Sequence, residues 1–91
     1  MRITTTQSTN IMVTHNAERE TLVDLYDVID GFRAETGYCI NLPPSANPEL
    51  TIIYISNLEV NEDGVMDDTF GEAVQQFIET LQDEEFTVLE N

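Results

Sequence analysis

Glu59, Asn61, Asp63, Gly64 and Asp67 stand at positions 1, 3, 5, 6 and 9 of a twelve-residue window that partly resembles a calcium loop, in which oxygens at such offsets wrap one divalent cation. Position 12, where a bidentate glutamate should close the site, is Phe70, and Glu72 falls two residues too late. The window is therefore read as a polar turn leading into an acidic first helical turn, where Asp67 and Asp68 suit the helix dipole, and no metal is expected. His15 is the only histidine and Cys39 the only cysteine. No neighbouring base recommends the thiol as a nucleophile, so Cys39 is expected in the core and His15 at a strand end as a cap or turn residue. Acid–base catalysis needs two carboxyls in unlike environments inside a cleft, whereas a ribbon of exposed acids offers one environment. Phosphate-loop, dinucleotide and nucleophile-elbow motifs are absent from the sequence. The expectation is a protein that is not an enzyme and carries no cofactor.

What the chain has in excess is carboxylate. Its 91 residues carry 18 acids against Arg2, Arg19 and Arg33, with no lysine, for a formal charge of -15. Residues 58–91 hold Glu59, Glu62, Asp63, Asp67, Asp68, Glu72, Glu79, Asp83, Glu84, Glu85 and Glu90, and no basic residue. The same stretch has Phe70, Val74, Phe77, Leu81 and Phe86, enough apolar residues to fold. Such charge opposes compaction, and ordinary surfaces interleave both signs. Affinity for nucleic acid rests on neutralising phosphates with Lys and Arg, so direct binding to nucleic acid or an anionic membrane is disfavoured and a basic partner favoured. The length fits one domain over residues 1–91. One cysteine excludes an internal disulfide, and neither an apolar leader nor an apolar run long enough to span a bilayer is present, which points to a soluble cytoplasmic protein.

The elements that would position these acids follow from periodicity. Residues 2–14, rich in Thr, Ile and Val, read as one long strand or two short ones. Asn16 is placed to cap a helix starting near Ala17 and ending around Thr36, with Gly37 as its left-handed cap. At about 100° per residue, Leu22, Leu25, Tyr26, Ile29 and Phe32 share one face of that helix, and Glu20, Asp24, Asp27 and Glu35 gather opposite. Residues 38–42 read as a short strand ended by Pro43 and Pro44, and residues 51–57 as a central strand buried on both faces, which Leu58 and Val60 could prolong. A second helix is expected over residues 67–82. Phe70, Ala73, Val74, Phe77 and Leu81 form its inner face, while Asp68, Glu72, Glu79 and Asp83 fall within about 60° on the other side, bordered by Gln75 and Gln76. Residues 86–89 read as a last strand. The order predicts an α+β two-layer sandwich of ferredoxin-like βαββαβ form, an antiparallel sheet with both helices on one face, against the alternative of an unclassified α+β fold.

Both acidic stripes would then face outward from one helical layer. Carboxylates at i and i+4 are about 6 Å apart along a helix, and each DNA strand presents a phosphate roughly every 3.4 Å, so a stripe matches a phosphate track to within a factor of about two. In size, lack of lysine and acidic helices, the chain resembles the small acidic DNA-mimic proteins of phages and mobile elements, among them anti-CRISPR proteins, anti-restriction proteins and inhibitors of DNA-repair enzymes. That class is convergent and shares no fold, so no residue role transfers by position. The resemblance implies a non-enzymatic inhibitor, acting in the host cytoplasm if phage-encoded, that occupies the basic groove of a nucleic-acid-binding complex such as a CRISPR effector or restriction enzyme. Its contact surface is expected at Glu20, Asp24, Asp27, Glu35, Asp68, Glu72, Gln75, Glu79 and Asp83. Other readings are an immunity protein or antitoxin plugging a basic toxin, an accessory protein that binds through an open sheet face around Tyr54, and adaptation to high salt. The residue pattern specifies neither an oligomeric state nor the identity of the target.

Overall fold

The computed structural model describes residues 3–61 and 69–89. In chain order these form β1 (Ile3–Thr14), α1 (Arg19–Thr36), β2 (Cys39–Asn41), β3 (Leu50–Asn61), α2 (Thr69–Asp83) and β4 (Thr87–Leu89). The strands make one sheet in the order β2-β3-β1-β4, every neighbouring pair antiparallel. β3 thus lies between β1 and β2, and β1 between β3 and β4, so each helix crosses over a strand supplied by the other half of the chain. This α+β arrangement is compatible with the expected ferredoxin-like order.

The sheet is uneven. β1 and β3 pair without a bulge from Ile3↔Asn61 to Thr14↔Leu50, whereas β4 pairs only with residues 12–14 of β1 and β2 only with residues 54–56 of β3. The far end of the β1–β3 ladder is therefore a two-stranded arm, and the molecule is elongated, 49 × 25 × 22 Å.

Side chains alternate across a strand, which sorts the central ladder into two faces. Ile11 and Val13 of β1 and Ile53 and Ile55 of β3 point to one side and are buried. They meet Leu25, Ile29 and Phe32 from α1, Phe70, Val74, Phe77, Ile78 and Leu81 from α2, and Phe86 ahead of β4. Because the whole core lies on this side, both helices cover the same face. At its centre Phe32 stacks on Phe77 with ring centroids 4.4 Å apart, and Tyr38 meets the edge of Phe32 at 5.8 Å. Among the described residues no helix lies on the other face. Its positions are Thr4, Thr6, Ser8, Asn10, Met12 and Thr14 on β1, Leu50, Ile52, Tyr54, Ser56 and Leu58 on β3, Cys39 and Asn41 on β2, and Thr87 and Leu89 on β4. None of these is a charged residue type.

Four expectations need correction. β3 is central, but only one of its faces is fully buried, and Ile52 and Tyr54 on the other are half-buried. Cys39 is exposed on the outer face of β2, because the strand phase that places Ile40 over Ile55 turns its neighbours outward. Tyr26 is 44% exposed, and Val28 takes its place against the core, since α1 presents to α2 a stripe rotated toward residues 28 and 32. α1 starts at Arg19 rather than near Ala17, which has a positive φ of 62°. Asn16 Oδ1 accepts from the Glu18 amide at 3.0 Å, one step before the helix. Its end matches: Gly37 adopts φ 73° and its amide donates to the Arg33 carbonyl at 2.8 Å.

Candidate acidic interface

His15 anchors the turn from which α1 departs. Its Nδ1 accepts from the Ala17 amide at 3.0 Å, which leaves Nε2 to donate to Thr51 Oγ1 at 2.7 Å. Its own amide donates to the Glu49 carbonyl at 2.9 Å. Both ring nitrogens are thus engaged in joining the β1–α1 turn to the start of β3.

From that anchor α1 carries Glu20, Asp24, Asp27 and Glu35 along about 22 Å of axis, all exposed. α2 runs the opposite way with Glu72, Gln75, Glu79 and Asp83, also exposed, over about 17 Å. Asp68 lies outside the described residues, as do Glu62, Asp63, Gly64 and Asp67 of the calcium-loop window. Phe70, at the position that would have to close that loop, is buried in the core. Among the described residues no cluster of His, Cys, Asp and Glu is arranged to hold a metal ion.

Two hollows show how the helices bring the acids together. A groove of about 590 Å³ runs between α1 and α2, walled by Glu35 and Thr36 on one side and Gln76 and Thr80 on the other, over a floor that includes Phe32 and Phe77. At the opposite end, Asp24 shares a hollow of about 280 Å³ with Glu84, Glu85 and His15. Glu35 and Asp24 of the expected set therefore lie where the two helices approach one another. Glu84 and Glu85 were not in that set. Their signal was the Leu81-to-Phe86 spacing, which folds the chain back beside α1 after the helix ends.

That helix end is made against local preference. The Phe86 amide donates to the Leu81 carbonyl and the Glu85 amide to the Gln82 carbonyl, each at 3.0 Å, a cap that puts Glu85 in the left-handed region at φ 70° where glycine is usual. Asp83, Glu84 and Glu85 also crowd the negative end of the helix dipole, and the last turn has no basic residue. Glu85→Gly is expected to raise stability by roughly 0.5 to 1 kcal/mol: removing a left-handed penalty of about 1–2 kcal/mol outweighs the extra chain entropy that glycine loses, about 0.4–1 kcal/mol. Urea titration read by circular dichroism measures it, and a midpoint shifted downward would refute the strain.

Among the described residues little neutralises the face: Arg19 borders a surface hollow with Glu20 and Asp24 but forms no ion pair. Among the described residues the one ion pair is Arg33 with Asp30 at 3.3 Å, both partners exposed, and no charged side chain is buried. No described helix is long and apolar enough to cross a membrane. Comparison of the chain with protein-family models, with curated proteins and with solved structures finds no match.

Proposed function

We propose that this protein is a non-enzymatic inhibitor whose acidic helical layer takes the place of nucleic-acid phosphates in the basic groove of a DNA- or RNA-binding complex, a CRISPR effector or restriction enzyme being the kind of target it suits. One observation carries the reading: acids on two antiparallel helices share a single exposed layer with almost no internal counter-charge. A surface kept this negative gains from a cationic partner and from little else, because exposed like charges only repel within the free chain. The acids crowded at the end of α2, where glycine and a cation would stabilise the fold better, support the same reading. The groove between the helices adds donors and acceptors at Gln76 and Thr80, which could select among basic partners that charge alone does not distinguish.

The test is capture from a host lysate by the tagged protein at low salt, followed by elution with excess duplex DNA. The expected result is a nucleic-acid-binding complex released by DNA. Its affinity should fall at least about tenfold between about 50 and about 200 mM salt, because the contact is between surface charges. A captured partner that is indifferent to DNA would overturn phosphate mimicry and favour a toxin or another basic protein.

A further inference from the structure

The outer face of the sheet is the counterpart of the acidic layer. In a chain of charge -15 it presents no charged residue at any described strand position, and at its middle Met12, Ile52 and Tyr54 are only half-buried, with no described element over them. Leu58 and Leu89, at 62% and 44% exposure, extend this surface along β3 and onto β4. A target recognised through its basic groove has its complement on the helical side. The surface that fits an uncharged, apolar-centred sheet is another of the same kind, and every copy of this chain carries one.

We propose that a second copy of this chain docks on this face, sheet to sheet, with the two acidic layers turned outward. Charge permits this mode and opposes the others. Packed sheets lie about 10 Å apart and each helical layer adds about 10 Å more, so the acids of the two copies are separated by roughly 30 Å, more than three Debye lengths at physiological salt. Any approach through the helices would press two uncompensated negative surfaces together. Size permits it as well. The β1–β3 ladder spans about 40 Å by 10 Å and the short outer strands add about 100 Å², giving a flat footprint of about 500 Å² per copy. A pair therefore covers about 1,000 Å² before side-chain relief is counted, the lower bound for a specific interface. The dimer is accordingly weak and concentration-dependent, and it presents two phosphate-like surfaces on opposite sides.

Sedimentation equilibrium from about 10 μM to about 1 mM tests this. The average mass should climb from near 10.3 kDa toward twice that value. Raising salt from about 10 mM, where the Debye length is about 30 Å, to about 150 mM should tighten the dimer by screening repulsion, the reverse of its effect on the target complex. Tyr54→Glu and Met12→Glu should hold the chain at the monomer mass throughout, with circular dichroism confirming the fold. Leu58→Glu, at a site already open to water, weakens the dimer at least about fivefold without touching the core. A wild-type chain that stays monomeric at the highest concentration overturns the proposal. So does a dimer that survives both Leu58→Glu and Tyr54→Glu, which would put the contact elsewhere. A monomer that loses its target on Tyr54→Glu would assign the face to that target instead.

Discussion

Replacing Asp24, Glu72 and Glu79 together with lysine is expected to lower affinity for the captured target by at least about 100-fold while leaving the fold at least as stable as before. Asp24 lies at the end of α1 that meets Glu84 and Glu85, and Glu72 and Glu79 sit two turns apart on α2, so the three substitutions reach both helices. Each reverses one charge, and the formal total moves from -15 by three steps of two to -9. All three side chains are exposed, so nothing in the core is disturbed. A surface in repulsion with itself relaxes when it loses charge, and the melting temperature should hold or rise. That sign separates lost recognition from lost structure, since a damaged fold would show both affinity and melting temperature falling. Calorimetric titration against the target and a thermal scan decide the matter, and affinity within about twofold of wild type would end the phosphate-mimic reading.

The other large effect belongs to Phe77. It is 2% exposed, stacks on Phe32, and belongs to the helix that packs on both α1 and β4. Phe77→Ala removes the ring that ties the two helices together and leaves a cavity between them, a change that costs about 3–5 kcal/mol in protein cores. A domain of this length is stable by roughly 5–13 kcal/mol, with self-repulsion drawing this chain toward the lower end. The variant should therefore be partly or wholly unfolded at 37 °C. Chemical denaturation followed by far-ultraviolet circular dichroism measures the loss, and a cost below about 1 kcal/mol would mean that the helical layer is not held from this point.

Much of this architecture was readable because its signals are local. The β-branched run of β3, the apolar stripe of α2 and the glycine that ends α1 each reflect the physics of a few neighbouring residues. The misplacements arose where partners far along the chain decide. Whether Tyr26 or Val28 faces the core depends on the direction from which α2 approaches, which no wheel drawn on α1 alone contains. Cys39 looked like a core residue by type, yet the register Ile40↔Ile55 turns it outward. β3 was expected to be covered on both faces because Ile52, Ile53, Tyr54 and Ile55 are all apolar, and composition does not tell a second covering layer from a bare one. The candidate site divides in the same way. The acidic stripes follow from helical periodicity, whereas the approach of Asp24 to Glu84 and Glu85 needs the turn after α2, where Glu85 occupies a conformation its residue type rarely takes.

The long β1–β3 ladder bears on how the chain reaches this structure. Its partners are far apart in sequence, from 36 residues for Thr14↔Leu50 to 58 for Ile3↔Asn61, so β1 has no strand to pair with until β3 exists. At a synthesis rate of about 5–20 residues per second, the 47 residues from Thr14 to Asn61 take roughly 2–10 s to emerge. Throughout that interval residues 3–14 form an uncharged, proline-free segment rich in β-formers, the kind of sequence that assembles with its own copies into aggregates. Residues 18–35, which follow it after a three-residue turn, bring Glu18, Glu20, Asp24, Asp27, Asp30 and Glu35 against Arg19 and Arg33, a net charge of -4. Nascent chains of this composition repel one another before any of them folds, so the carboxylates would already act during synthesis, as guardians of the one strand that must wait.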